Sequence, residues 1–399
     1  MAFDVARIRG LYPGLGAGGV RLDGSAGMLV PEDVASAVCT AMRTPFSAPG
    51  GAFPASRRAD DLLAEARVAV ADLAGARPET VVLGPNATVL LTRLADALAD
   101  TWTRGDDVVL SRLDEQATLA PWLRAARRVG ADVRWSEIDI ETCELPAWQY
   151  EELIGPRTKA VAVTAASGAV GTRPDVDTVV GIARRAGALS VVDATHAAPF
   201  VPLDLDRLGA DVLVVSARAW GGPELSALVF RDAETLERVP SVALDPAASG
   251  PERLELGPHP IPLLAGLVTS VEHLARLDDA AAGSRRERLL TSLGSAKSYH
   301  AGLLAQLSTE LRTMRRIMVL GDATRRIPAL AFTVADRKAT EVAQHLAEHA
   351  VCVFTEQGAD GVFASLGVGE VGGALRIGLA HYTTPTEITA LLHALETLP

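Results

Sequence analysis

Five places in this chain carry residue types that could do chemistry. Asp193 closes the apolar run Leu189-Ser-Val-Val-Asp193, of the kind that forms a buried strand. A carboxylate at the end of such a strand is costly to bury without a partner, although loop and helix-capping aspartates are common. The stretch Gly84-Pro-Asn-Ala-Thr88 follows a short apolar run and opens a helical pattern. Backbone N–H groups at a helix N-terminus, around Asn86, Ala87 and the Thr88 hydroxyl, suit a phosphate; Asn and Thr are also ordinary caps. Arg376, in Gly373-Ala-Leu-Arg-Ile-Gly378, carries a guanidinium that can fork onto a carboxylate, or serve a surface ion pair. His196 follows Asp193 by three residues and is a candidate proton carrier or a hydrogen-bonded loop histidine. Ser216 and Arg218 follow another apolar run, Val212–Val215.

Two other patterns carry no chemistry. Gly14-Leu-Gly-Ala-Gly-Gly19 spells G-x-G-x-x-G, but no strand precedes it and no helix opens from it, so it reads as a flexible turn. His345-Leu-Ala-Glu-His349 spells H-x-x-E-H on an amphipathic helix, with no third ligand placed. A surface histidine pair is the better reading, and no metal site is expected.

The elements that must position these residues alternate from about residue 60 to 230. Helical patterns cover Arg57–Ala76, Ala87–Ala99, Leu119–Val129 and Val176–Ala186. Apolar strand runs cover Thr80–Leu83, Asp107–Leu110, Asp132–Trp135, Lys159–Thr164, Leu189–Val192 and Val212–Val215, with Ser226–Phe230 as a final edge strand. Repeated β-α units with apolar strands predict an α/β fold with a mostly parallel sheet covered on both faces. Ligands of such sheets bind beyond the carboxyl ends of the strands. Beyond residue 250 the texture changes. Long helices at Leu263–Leu277 and Arg286–Leu311 precede strands at Leu330–Val334 and Val351–Phe354 and a last helix at Pro385–Leu398. This reads as a smaller α+β lobe. The expected division is 21–260 for the large domain and 261–399, with 1–20, for the small one.

Taken together, these motifs resemble class V aminotransferases of the cysteine desulfurase-like branch, over roughly Arg9 to Leu398. Asp211-Val-Leu-Val-Val-Ser-Ala-Arg-Ala-Trp-Gly-Gly-Pro223 resembles the family's S-x-x-K-x-x-G-P segment. Val192-Asp-Ala-Thr-His-Ala-Ala-Pro199, Ala165-Ala-Ser-Gly-Ala-Val-Gly-Thr172, Asp114-Glu-Gln-Ala-Thr-Leu-Ala-Pro-Trp122 and the Arg376 strand match further family motifs in order. The resemblance implies fold type I of pyridoxal phosphate (PLP) enzymes: a large domain with a seven-stranded sheet, a small C-terminal domain and a homodimer. It implies that Asn86, Ala87, Thr88 and Ser216, with Arg218 beside it, would hold the PLP phosphate. Asp193 would hold the pyridinium proton, His196 would sit near the phenolic oxygen, and Arg376 would take the carboxylate of an amino-acid-like ligand.

Four positions depart from that pattern. The lysine that forms the Schiff base with PLP falls on Ala219. The histidine that stacks on the ring is Glu115, the cofactor-contacting asparagine is Gly168, and a phosphate-binding threonine supplied to the neighbouring subunit is Pro258. Four departures together read as natural divergence; a parent sequence with lysine in place of Ala219 would overturn that. Lys159, Lys297 and Lys338 are the only lysines among 38 basic residues, so few could substitute. A desulfurase cysteine would fall near Gln357–Ala359, where there is none. Cys352 reads as buried in its apolar run.

Three functions stay open: noncovalent PLP or pyridoxamine phosphate binding with altered chemistry, with His196 as a base; a pseudoenzyme keeping the dimeric scaffold for binding or regulation; and, most remotely, a hydrolase using Ser167 and His196. A net charge of -11 disfavours nucleic acid and anionic membranes as partners. The cysteines Cys39, Cys143 and Cys352 form no C-x-x-C pair. With no signal-peptide pattern and no run of 18 apolar residues, a cytoplasmic protein is expected.

Overall fold

The computed structural model describes residues 3–359 and 361–398. Seven runs rich in Val, Leu and Ala become one sheet: β1 Val81–Gly84, β2 Asp107–Ser111, β3 Asp132–Ser136, β4 Thr158–Thr164, β5 Leu189–Asp193, β6 Val212–Ser216 and β7 Ser226–Phe230. Their order is β1-β7-β6-β5-β4-β2-β3. All neighbours run parallel except β7, which is antiparallel to both β1 and β6.

The apolar runs are continuous because both faces are covered. In β6, Val212 and Val214 enter the core on one face while Leu213 and Val215 enter the core on the other, as the two-residue strand period requires. Helices Ala87–Ala99 and Gln116–Val129 cover the first face, and Pro54–Ala74 and Val176–Ala186 cover the second.

Ser226–Phe230 is not the edge strand that the sequence suggested. It lies inside the sheet, hydrogen-bonded on both sides, and every one of its residues is buried. The edges are β1 and β3. The free side of β1 is partly closed by Glu255, whose Oε1 accepts the Leu83 N–H at 2.8 Å. Edge N–H groups need such a cover.

Beyond the sheet, helix Ile261–Ala275 packs on Glu32–Arg43 and Pro54–Ala74 and buries Leu264, Leu267, Val271 and Leu274 in the large core. Helix Arg285–Thr313 has 29 residues, roughly 44 Å of length at 1.5 Å per residue. Its first half places Leu289 and Leu293 in the large core; its second half places Leu303, Leu307 and Leu311 in a separate one. It therefore ties the two lobes together.

The smaller lobe is a four-stranded antiparallel sheet of Ile317–Leu320, Ala329–Val334, Phe354–Glu356 and Ala374–Gly378, backed by Ala339–Glu348 and Pro385–Glu396. The expected single strand Val351–Phe354 is two pieces. Val351–Cys352 pairs in parallel with Val20–Arg21, while Phe354–Glu356 joins the sheet. That break leaves Cys352 only half-buried, contrary to the sequence expectation. The Gly14–Gly19 stretch is also more ordered than a flexible turn, since Pro13–Ala17 winds into a 3-10 helix.

Candidate functional site

The carboxyl ends of β4, β5 and β6 lie level. Thr164 pairs with Asp193, Asp193 with Val214, and Ser216 with Ser226, which pairs in turn with Gly84 of β1. The residues just beyond these ends line one cavity of about 160 Å³. Asn86, Ala87, Thr88, Asp193, His196, Ser216 and Arg218 all face it, together with Glu115, Thr118, Ser167, Gly168 and Glu224. These seven residues, spread from position 86 to position 218, meet at one place, as an open parallel sheet dictates.

One side of the cavity suits an anion. Asn86 caps helix Ala87–Ala99, its Oδ1 accepting the Val89 N–H at 2.9 Å. The first turn of that helix and the hydroxyls of Thr88 and Ser216 border the cavity, and Arg218 adds a guanidinium. Arg218 is exposed and pairs with Glu224 at 2.9 Å.

Asp193 occupies the middle. Its Oδ2 accepts the Thr118 hydroxyl at 2.6 Å, and its Oδ1 accepts the Thr195 N–H at 2.9 Å. One donor on each oxygen leaves acceptor capacity for a further protonated group. Thr118 was not selected from the sequence. It occupies the asparagine place of the E/D-H-x-A-N-x-x-P-W motif, so the motif itself held the signal. Asp114, buried beside it and in contact with the Ser111 hydroxyl, is pushed well up by burial, with Asp193 and Glu115 nearby adding to the rise. Its surroundings therefore favour the neutral acid over the carboxylate.

The far side differs most from the family pattern. Glu115 Oε1 lies 3.1 Å from His196 Nε2 and 3.7 Å from Arg376 Nη1. Arg376 also lies 3.4 Å from Glu356. Burial alone would raise the Glu115 carboxyl, but His196 and then Arg376 bring it down to about 2. Burial likewise disfavours the charged form of His196, yet Glu115, with Asp193 behind it, raises its pKa above the ordinary histidine value. Glu115 therefore favours the protonated form of His196, whose ring faces that carboxylate.

Two of the departures are one structural change. A Cβ on Gly168 would stand 2.5 Å from His196 Cε1. The imidazole occupies space that a side chain at 168 would fill, and there it meets Glu115. A Gly168→Asn variant should force the ring away, since the clash is with a movable side chain. The His196 pKa should then fall toward its ordinary value with little loss of Tm. Histidine proton NMR across a pH titration reads this directly, and an unchanged His196 titration would refute the coupling.

Ala219 lies half-buried in the 3-10 turn Ala217–Trp220 that follows Ser216. No lysine is among the residues lining the cavity. Lys159 stands at the opposite end of β4 and pairs with Asp106 at 3.5 Å. Ser167, the proposed hydrolase nucleophile, is buried, and its hydroxyl accepts the Ala169 and Val170 N–H groups at 3.3 and 3.4 Å. It holds the loop, and His196 faces Glu115 instead. The same loop crosses the lobes at Gly171, whose φ of +81° and 2.2 Å Cβ approach to the Ala329 carbonyl require glycine. Pro258 lies near Glu255, a residue the sequence did not flag, which holds Arg67 at 2.8 Å and His259 at 2.9 Å.

The family model described as aminotransferase class-V matches residues 20–391. This chain belongs to that family. An uncharacterized protein of Mycobacterium tuberculosis (strain CDC 1551 / Oshkosh) is 47% identical over 398 residues, covering 100% of both chains. The cysteine desulfurase CsdA of Escherichia coli K12 is 28% identical over 418 residues, covering 99% of this chain and 97% of that one. Among solved structures, the apo cysteine desulfurase of Thermococcus onnurineus NA1 superposes with a TM-score of 0.88 at 23% identity, covering 99% and 98% of the two chains. A lysine-to-alanine variant of C-DES, with glycine covalently linked to its PLP cofactor, superposes at 0.80 with 20% identity, covering 98% and 99%. The fold is that of type I PLP enzymes, a mostly parallel seven-stranded sheet with a smaller α+β lobe. Among the described residues, no helix is long and apolar enough to cross a membrane.

The residues present fit PLP in part. The anion cup and the Asp193 carboxylate suit its phosphate and its protonated ring nitrogen. Glu115 cannot stack on an aromatic ring, and Ala219 offers no amine for a covalent link.

Proposed function

We propose that this protein holds PLP or pyridoxamine phosphate noncovalently and does not perform lysine-dependent amine exchange. The observation that carries this reading is the convergence of Asn86, Ala87, Thr88, Asp193 and Ser216 on one cavity at the strand ends. PLP, when bound, supplies a ring that draws electrons away from an attached amine. The first turn of helix Ala87–Ala99, with Thr88, Ser216 and Arg218, would bind the phosphate. Asp193, oriented by Thr118 and Thr195, would keep a ring nitrogen protonated. The His196 imidazolium would donate a hydrogen bond while Glu115 holds its proton. The C-DES variant offers a precedent for an amino acid–PLP complex in a protein of this fold that has lost a lysine.

The chain Arg376–Glu115–His196 favours a second reading, the pseudoenzyme. An internal carboxylate already engages the arginine that would receive a substrate carboxylate, so the pocket is partly satisfied by its own residues. As in its family, we propose a homodimer for either reading, which light scattering after gel filtration would measure.

Dialysis with visible absorption, followed by borohydride, tests the first reading. PLP should bind, leave on dialysis and resist trapping. Arg218→Ala should weaken binding by about 10-fold, the scale of a charged hydrogen bond at a partly exposed site. Failure of the wild-type protein to bind PLP leaves the pseudoenzyme; trapping on a lysine overturns the noncovalent mode.

A further inference from the structure

A second and larger cavity, of about 550 Å³, lies between the lobes and away from the strand ends. Four segments form it: Arg173 in the loop after β4, Phe200–Pro202 after β5, Thr324–Pro328 between the first two strands of the small sheet, and the middle of the bridging helix from Lys297 to Ser308. Its size is ordinary for a small-molecule site.

Its lining is two-sided. Phe200, Val201, Leu304 and Ile327 give an apolar floor, extended by the His300 ring, which meets Phe200 edge-on at 5.3 Å. Burial pushes His300 down to about 4, so this ring is neutral. Arg173, Lys297, Arg325 and Arg326 give four cations, and no aspartate or glutamate lines the cavity.

These cations are poorly compensated. Arg326 donates through Nη2 to the Val170 and Ala329 carbonyls at 2.9 and 3.4 Å, neither of them a charge. The Nε atoms of Arg173 and Arg326 are buried without a hydrogen-bond partner among the described residues. Carboxylates offset this charge only from outside the cavity: Asp175 pairs with Arg325 at 3.8 Å, Asp177 acts on Arg173, and Asp322, itself paired with Arg312 at 3.0 Å, acts on Arg326. Burial, and then Arg325, lowers the pKa of Arg173; burial lowers that of Arg326. Buried guanidinium groups with unpartnered N–H groups are expensive, and an anion in the cavity would stabilise their charge and pair with the N–H groups that line it.

We propose that this interlobe cavity binds a small organic anion with an apolar body, of the class of a medium-chain aliphatic carboxylate. The anionic head lies among Arg173, Arg325, Arg326 and Lys297, and the chain lies on Phe200, Leu304 and Ile327. Because the cavity joins both lobes to the helix that spans them, its ligand would also fix their relative placement. The inference does not depend on the cofactor site.

Octanoate is the probe, with octyltrimethylammonium as a control of the same body and opposite charge. Calorimetric titration of the full chain should show octanoate binding and no binding of the cation. Ala301 and Lys297 are exposed on the bridging helix and Arg325 is exposed on its loop, so substitutions there should fold. Ala301→Trp, which fills the cavity, and the double variant Lys297→Glu with Arg325→Glu should each weaken octanoate at least about 10-fold with unchanged Tm. The proposal is overturned if wild-type protein fails to bind octanoate at millimolar concentration, if the cation binds equally, or if both folded variants bind like wild type.

Discussion

An Ala219→Lys variant is expected to turn a dialysable PLP complex into one that borohydride fixes to the chain. Label retained after reduction and denaturation should rise from background to about one per chain, because a lysine amine at this place can form the bond that alanine cannot. Ala219 is half-buried in a short turn whose neighbours Ser216 and Arg218 already line the cavity. Gly221 and Gly222 follow the turn after Trp220 and pass close to their surroundings, Gly221 at φ +87°. Ala219→Met is the control, of similar length and without an amine; it should bind reversibly as the wild type does. Peptide mapping would place the label. A folded Ala219→Lys protein that still loses all PLP on dialysis would show that position 219 does not face the ligand.

The second large effect concerns charge. Glu115→Gln should remove the pairing with His196 and free one of the two carboxylate contacts of Arg376. Glu115 is held down to about 2 in the folded chain, so its contribution is present above its ordinary carboxylate pKa and is lost as pH falls through about 2. His196 is raised, so its contribution is complete below its ordinary pKa and is lost as pH rises through the folded value. The stability difference between wild type and variant should therefore be largest between about pH 4.5 and 6.5. It should shrink on both sides, leaving at higher pH only what Arg376 contributes. The Glu115 side chain is 39% exposed, so solvent screening holds the maximum to about 1 kcal/mol. Urea unfolding at a series of pH values would measure it; a difference that stays flat across that range would exclude His196 as the partner. The variant should also bind free amino acids more tightly through Arg376, since one of its two competing internal carboxylates is gone and only Glu356 remains.

The sheet was readable because its strands are short apolar runs separated by capped helices, and two helices, Ala87–Ala99 and Val176–Ala186, begin and end where the periodicity puts them. Asp193, Ser216 and Asn86 were readable for the same reason: each stands next to such a run, and parallel strands bring those ends together. What escaped depends on pairing across long separations. Nothing local to Ser226–Phe230 says that it inserts between β1 and β6. Thr118 reaches Asp193 across 75 positions, and Glu255 reaches Leu83 across 172. The four departures were visible as missing residue types. That Gly168 and Glu115 act together through His196 was not, because the link is a ring position and not a spacing.

The central placement of β7 has a consequence for which parts of the site can drift. Ser226 pairs with Gly84 on one side and with Ser216 on the other, so the first residue of a fully buried strand sets the separation between the two halves of the anion cup. Shifting that separation would mean sliding β7 by a residue and turning its buried side chains to the wrong face. Residues 115, 168, 219 and 258 all lie outside the strands and can change one at a time without moving a strand. A descendant freed from its ancestral reaction would then lose its reactive side chains early and keep its phosphate cradle as a by-product of folding. Such a cradle would be a standing invitation to any phosphorylated metabolite, and a place from which a new activity could start.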